Sequence, residues 1–531
     1  MPKTIALIPV QATRTTLGLP SRVGEVLDGR TVLARTVERA SRIAGVEAVV
    51  LVHRTGEDVL QWTTGAEAAV PVCATASDGW DAPYLGAIRA ARRWAWSAWR
   101  GGIGGATVFD ELLPAGPLVQ AMDQHQATSA ILLGADWPVV DPELCSGVLG
   151  LHLEAPESMK VTFSQAPPGL CGVAVSRDML DDLARNRGTF AQVLRYNPRL
   201  PTPDPIGRDV CFQIPAAIRG DVRRFVYDTA RGCAALRERL GLGVDAKPQA
   251  AADPGASWVT LELTPRRAVN GPIVPQHHVA IDRPDMPVDV AQRIVEQIGA
   301  WDDAALMLGG LGDPLLHPHW SDVVTAARAG GVRAIGVQTD LHCEDASLAK
   351  LLQLPIDVVW IRLNADSPAT YARTMGSDAF DAVIKRIEWL YNHRGAARGG
   401  TGLPWLVPSM VKTVDTLGEL ESFFNRWMHY AGHAVVEPAT SGCGLMPEQS
   451  PVPMAPPRRV PCRQLGQRMT IHSDGRVALC DQDWLGRAVL GDATATSLVD
   501  VWRQVAGPVA EHAAGRWPEP LCTRCHEWHR P

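Results

Sequence analysis

No run of apolar residues approaches the ~18–20 positions that a membrane-spanning helix requires, so attachment of that kind is not expected. A long basic run is missing too, and the net charge is −6. That balance argues against a nucleic-acid partner. The first residues, Met1-Pro2-Lys3-Thr4-Ile5, lead straight into a strand pattern and lack the apolar core and cleavage site of a signal peptide. A cytoplasmic protein is the expectation. In a reducing compartment the eleven cysteines read as free thiols or metal ligands, not disulfides. What is present is ordinary globular material: 531 residues, 46% hydrophobic and 20% charged, enough for about three domains.

Seven cysteines are scattered (Cys73, Cys145, Cys171, Cys211, Cys233, Cys343 and Cys443) and read as small buried thiols. The other four form a frame near the C-terminus. Seventeen residues separate Cys462 from Cys480, and Cys522-Thr523-Arg524-Cys525 closes the set as a CxxC pair. Between the first two lies Met469–Cys480, two strands joined at Asp474-Gly475. A two-residue turn there would pair Ile471 with Ala478. A three-residue loop, Ser473-Asp474-Gly475, would pair Ile471 with Val477 and Met469 with Leu479. The second register gathers the large apolar side chains on one face, so burial selects it, with Gly475 left-handed. Four thiolates suit one [4Fe–4S] cluster. Zn²⁺ held tetrahedrally by the same four cysteines is the main alternative, and four unligated thiols the other.

Along residues 1–243 strand and helix patterns alternate. Thr4–Val10 and Val46–His53 read as buried strands, Thr31–Ala44 and Tyr84–Trp99 have helical spacing, and Ser129–Asp136 is a third strand ending in an acid. The alternation predicts a Rossmann-like parallel α/β sheet with its functional edge at the strand C-termini. This order of features resembles the nucleotidyltransferase-like fold of sugar cytidylyltransferases. The resemblance implies that Arg14 and Arg22, in the loop Gln11–Arg22, meet nucleotide phosphate. It also implies that Asp136, in Gly134-Ala135-Asp136-Trp137-Pro138, helps hold Mg²⁺. The dense glycines that bring backbone N–H groups to phosphate are absent from that loop. As a residue alone, Asp136 also reads as a turn cap beside Pro138. Residues 244–256, rich in Ala, Pro and Asp without periodicity, read as a linker.

From 257 to 443, βα units repeat. Strand patterns occupy Trp258–Thr264, Leu306–Leu308, Ala334–Thr339 and Val358–Leu363, with helices at Val288–Ile298 and Phe380–His393. They predict a full or partial (β/α) barrel. The segment resembles a radical SAM domain. Leu261–Thr264 is similar to that family's first strand, and Gly310-Leu311-Gly312-Asp313-Pro314 to the loop that meets the amino group of S-adenosylmethionine. Gln338-Thr339-Asp340 is similar to its Thr-Asn-Gly stretch, and Ile361–Tyr371 to the strand that follows. The resemblance assigns Gly310, Gly312 and Asp313 to the amino-group loop; as residues alone they are ordinary turn formers. The family's CxxxCxxC loop, which holds the cluster that reduces S-adenosylmethionine, is missing. Arg267, Gly271 and Val274 stand at the three cysteine positions, and no CxxxCxxC occurs elsewhere. The adjacent His277 and His278 point apart and cannot replace three thiolates. The barrel is expected not to cleave S-adenosylmethionine, and binding of that molecule is left open.

Pro447, Pro451, Pro453, Pro456 and Pro457 mark 444–460 as a semi-extended linker. From 461 to 531 come a cysteine, the Asp-Gly hairpin and a second cysteine. A Leu490-Gly491-Asp492 turn, a Leu498-x-x-x-Trp502 helix capped by Ser497, and the CxxC pair follow. This order resembles the SPASM domain, the iron–sulfur module that follows many radical SAM barrels. The resemblance implies one [4Fe–4S] cluster on Cys462, Cys480, Cys522 and Cys525, with Cys443, across the Pro-rich stretch, a free thiol. The three-part order also resembles the spirochete-type SPASM proteins whose barrel lacks the cysteine loop. The chain is therefore expected to be an iron–sulfur protein with a small-molecule or protein partner. Other readings stay open. One is a nucleotidyltransferase acting on a nucleotide-activated sugar, and another a radical SAM-type enzyme with an unusual cluster site. A non-catalytic binding scaffold is the last.

Overall fold

Trp258, Thr260 and Glu262 alternate with Val259, Leu261 and Leu263, and this alternation sorts the second half of the chain into two faces. The computed structural model describes residues 3–196, 201–242, 255–397, 401–452, 455–518 and 521–530. The chain divides into two compact units, Met1–Ala251 and Ala252–Pro531. The linker expected over 244–256 lies outside the described residues as far as 254, as does Pro453 of the Pro-rich stretch.

The first unit contains β1 (Thr4–Pro9), a small hairpin of β2 (Val26–Leu27) and β3 (Arg30–Thr31), β4 (Ala48–Arg54) and β5 (Val72–Ser77). It continues with β6 (Ser129–Leu132), β7 (Val161–Ser164), β8 (Val173–Ser176) and β9 (Cys211–Phe212). Seven strands form one sheet in the order β5-β4-β1-β6-β8-β7-β9, and β8 alone runs against the rest. Ile5, Leu7 and Ile8 are all fully buried, as both faces of a parallel strand are covered. Thr31 caps the helix Val32–Ala40 by accepting from the Ala34 N–H. The direction of strand order reverses between β1 and β6. A crevice opens at such a switch point, beyond the C-terminal ends of the strands. The strand pattern over Ser129–Asp136 ends early, at Leu132, so Asp136 stands on the turn that leaves β6.

In the second unit β10 (Trp258–Leu261), β11 (Ala305–Leu308), β12 (Ala334–Thr339), β13 (Val358–Arg362), β14 (Trp405–Lys412) and β15 (Val435–Pro438) lie side by side in chain order. All run parallel. Val259, Leu261, Leu306, Leu308, Ile335 and Val337 bury one face in a core shared with Ile294 and Val295 of the helix Val288–Gly299. The other face carries Trp258, Thr260, Glu262, Gln338, Trp360 and Arg362, which line a cavity.

The C-terminal hairpin joins this same sheet. β16 (Arg468–Ile471) pairs in parallel with β10, placing Thr260 opposite Thr470. β17 (Arg476–Ala478) and β18 (Val489–Asp492) follow antiparallel. Ile471 pairs with Val477 and Thr470 with Ala478, the register that burial favours, and Gly475 has φ of 87°. Met469, Ile471 and Val477 belong to the main core. The segments read as separate, 257–443 and 461–531, thus share one sheet and one compact unit. Among the described residues no helix is long and apolar enough to cross a membrane.

Candidate functional site

β17 ends at Ala478, and beyond it the chain turns from the main core into a small second one. That core packs Cys443, Leu479, Leu521 and Cys522, with Cys480, Cys525 and Trp517 against them. The turn of 3-10 helix over Cys522–Arg524 brings the two ends of the CxxC pair together. Cys462 is half-buried. Its N–H donates to His512 Nδ1 at 3.2 Å, and its thiol lies within electrostatic reach of Cys525. Cys480, Cys522 and Cys525 therefore pack together, with Cys462 at their edge. Cys443, expected to be a free thiol away from them, is a fifth member, and its thiol hydrogen-bonds the Cys525 sulfur.

Burial pushes the Cys480 thiol well up, with help from Asp481, and raises Cys462. Cys522 is pushed up to about 11, by burial and then by Cys525. Cys525 is drawn down to about 6, first by its hydrogen bond with Cys443, against the effect of burial. The Glu527 N–H, 3.2 Å from its Sγ, and the charge of Arg459 add to this. Arg459 is itself fixed over the Trp517 ring at 4.3 Å. Neighbouring buried thiols resist losing their protons together, so the set becomes fully anionic only around a strong cation. Among the described residues no three His, Cys, Asp or Glu side chains form a ready site for a single ion. The donor set is a group of buried and half-buried thiols with Asp481 and Glu527 beside them, and thiolates are the donors that hold an iron–sulfur cluster.

At the barrel end, Arg267 Nε donates to Asp340 Oδ2 at 2.8 Å and Nη2 to Oδ1. The two side chains are 5% and 0% exposed. Arg362 shares Asp340 through Nε at 3.1 Å. Its Nη1 donates to the Gly310 carbonyl at 3.0 Å and its Nη2 to the Gly312 carbonyl at 2.9 Å. Burial opposes the Asp340 charge, but the two guanidinium groups hold its carboxyl below the usual range. Asp313 accepts from Leu315 N at 3.0 Å, Thr339 Oγ1 at 2.9 Å and Asp340 N at 2.8 Å. Burial, then the neighbouring Asp340, raises its carboxyl. Gly312 comes so near the segment that follows β10 that a Cβ would stand 1.7 Å from Thr264 O. His277 and His278 bond loop carbonyls, Asn270 O at 2.9 Å and Pro272 O at 2.7 Å.

The cavity over this face has a volume of about 400 Å³. Asp481 and Gln482, the residues after Cys480, form part of its wall. His472, also on the wall, bonds Asp483 O through Nε2 at 2.9 Å, and its buried Nδ1 has no partner among the described residues. Glu262 fastens the cavity rim. It accepts from Arg283 Nη2 at 2.7 Å, Leu311 N at 3.2 Å and Ser473 N at 3.3 Å. One buried carboxylate thus ties β10, the Gly310 loop and the hairpin loop together.

Residues 462–526 match the SPASM family, described as an iron-sulfur cluster-binding domain. The chain carries a SPASM domain. An uncharacterized protein of Treponema pallidum is 27% identical over 257 residues, 46% of this chain and 70% of that protein. A tungsten-containing aldehyde ferredoxin oxidoreductase cofactor-modifying protein of Pyrococcus furiosus is 24% identical over 165 residues, 31% of this chain and 46% of that one. Among solved structures, Streptococcus suis SuiB bound to S-adenosylmethionine has 13% identity and a TM-score of 0.39, over 48% of this chain and 68% of that chain.

Away from the SPASM domain, the first unit has a cleft of about 50 Å³ at its switch point, lined by Gln11, Thr15, Thr16, Ser21, Asp136 and Asp228 among others. Burial and then the nearby Asp228 push the Asp136 carboxyl up to about 7, with Arg224 opposing. Arg224 bonds Asp228 and also Glu111, which Arg92 meets at 2.8 Å. Asp136, Asp228 and Glu111 thus face the cleft with Arg224 among them, and carboxylate oxygens are the donors that a divalent cation such as Mg²⁺ takes. Arg14 is exposed and bonds Gly18 O at 3.2 Å. Arg22 stands 3.6 Å from Glu25. Neither lines the cleft. Glu111, Arg224 and Asp228 went unseen in the sequence because each meets Asp136 only through the fold.

Proposed function

We propose that this chain is an iron–sulfur protein whose SPASM domain carries one [4Fe–4S] cluster on Cys462, Cys480, Cys522 and Cys525. The cluster stands beside a barrel cavity that does not cleave S-adenosylmethionine. The observation that carries the second part is the fate of the three loop positions. Arg267 is spent in a buried ion pair, Gly271 lies against backbone, and Val274 is buried in the main core. Arg362 also engages both glycine carbonyls of the loop that resembles the amino-group site. When bound, the cluster supplies one-electron transfer. The chain supplies the thiolates, the N–H at Cys525, and a cavity wall that begins one residue beyond Cys480.

Anaerobic reconstitution of the full chain tests both parts. Iron and sulfide in equal amounts, about four of each per chain, are expected. No 5′-deoxyadenosine is expected from S-adenosylmethionine under dithionite. One zinc on the cysteines without colour overturns the cluster. Formation of 5′-deoxyadenosine overturns the reading of the barrel.

The Asp136–Asp228 pair at the switch point favours a second reading for the first unit, Mg²⁺-dependent nucleotide binding. Phosphate there would be met by Gln11, Thr15 and Thr16, which line the cleft. Titration calorimetry with CTP and Mg²⁺ is expected to show binding that Asp136→Ala abolishes. Undiminished binding in that variant removes the role from Asp136.

A further inference from the structure

A [4Fe–4S] cluster on thiols takes four of them, and here four pack together with a fifth, Cys462, at their edge. The small core holds Cys443, Cys480, Cys522 and Cys525 together. Cys462 is the one frame cysteine outside that packed group. The loop bearing Cys443 is fixed from several sides. Leu445 N and Met446 N donate to Ser441 O at 2.9 and 3.0 Å. Gly444 N donates to Ser441 Oγ at 3.2 Å. Thr440 Oγ1 bonds Gln482, two residues past Cys480. Gly442 lies so close to Trp484 that a Cβ would stand 2.4 Å from its ring. Held this way, the loop delivers Cys443, itself 4% exposed, into the thiol group.

We infer that Cys443 is a fifth thiol of the iron–sulfur site and takes the ligand position of Cys462 when that residue is withdrawn. The inference rests on the cluster proposed above. The exchange balances without an added reagent. A bond forms between iron and Cys443 Sγ, the bond to Cys462 Sγ breaks, and the Cys443 proton passes to the departing Cys462 thiolate. No electron moves, and the charge of the cluster with its four thiolates is unchanged. Because Thr440, on the same loop, also lines the barrel cavity, a change of ligand is transmitted to the cavity wall.

The test compares reconstituted full-length wild type with Cys443→Ala, Cys462→Ala, the double variant and Cys480→Ala, by iron and sulfide content and by electron paramagnetic resonance of the reduced state. Both Cys443→Ala and Cys462→Ala are expected to keep the wild-type iron content. Cys462→Ala is expected to show a changed spectrum, because its fourth ligand is new. The double variant and Cys480→Ala are expected to lose the cluster. If Cys462→Ala does not fold, Cys462→Val, of similar volume, takes its place. Iron lost from the folded Cys462 variant as fully as from Cys480→Ala overturns the exchange. So does a double variant that keeps its iron. Wild type without iron defeats the cluster itself, whereas wild type with iron and a Cys462 variant without it defeats only the exchange.

Discussion

Installing the missing loop, as Arg267→Cys, Gly271→Cys and Val274→Cys together, is expected to destabilise the second unit and not to create a second cluster. Removing Arg267 leaves the fully buried Asp340 with Arg362 as its remaining ion-pair partner among the described residues. Breaking a buried pair from one side costs about 3–5 kcal/mol, and the surviving Arg362 keeps this case near the lower figure. At Gly271 the new Cβ would stand 2.2 Å from Thr374 O and 2.4 Å from Gly376 N. Both are backbone atoms at the end of the helix Pro368–Met375, so no side chain can swing aside. Overpacking of this kind costs about 1–3 kcal/mol and sometimes more. Domains of this size lose about 2–4 °C in Tm per kcal/mol, so the triple variant should melt on the order of 10 °C or more below wild type. Arg267→Cys and Gly271→Cys should each account for much of the drop and Val274→Cys for least. Thermal melts of the three singles and the triple check this. A triple variant that melts with the wild type and gains a second cluster would show that the loop is free to be rebuilt.

That expectation draws on something the sequence only half reveals. The absence of CxxxCxxC is plain from the residues, and so is the identity of the three replacements. What they do instead depends on partners far along the chain. Arg267 and Asp340 are 73 residues apart, and no local pattern encodes the pairing of a lone arginine with a lone aspartate. Local periodicity was legible where burial acts on neighbours. The alternation along Trp258–Leu263 separates cavity from core, and the hairpin register follows from putting Ile471 and Val477 on the buried side.

What is not legible in the sequence has the same origin. A proline-rich stretch reads as a boundary, yet β16 pairs with β10 across roughly two hundred residues and makes one sheet of both segments. Proline restricts the stretch itself and says nothing of where the chain goes next. The same stretch separates Cys443 from the four-cysteine frame in sequence and hides their proximity. A glycine on either side, in Gly442-Cys443-Gly444, was the available signal that its backbone is unusual; its φ is 54°. In the first unit the acid at the end of the third strand pattern was visible, but not its neighbours. Asp228 reaches Asp136 from beyond the strands that close the sheet.

Stripping the cluster from the holoprotein is expected to split the SPASM domain along the line between its two cores. Met469, Ile471 and Val477 lie in the main core, and so do Leu498, Val501 and Trp502 of the helix Leu498–Arg503. β16 is further held by its pairing with β10. These parts do not need the metal. Leu479, Leu521 and Cys522 have only the small core, built around the thiols themselves. So few apolar side chains cannot offset the conformational entropy of the segments that carry them, at ~1.5 kcal/mol per ordered residue. Metal binding there is folding free energy. Hydrogen exchange after anaerobic chelation should therefore lose protection over 479–482 and 521–530 while 468–478 and 498–503 stay protected, as Trp484 packs on Leu311 and Met446 away from the thiols. Uniform loss from 462 to 530 would mean that the hairpin depends on the cluster after all. Full retention would mean that the thiol core stands without it. The split result places the cluster as a clamp on the last segment of the chain and on the Cys480 turn, the one that begins the wall of the barrel cavity.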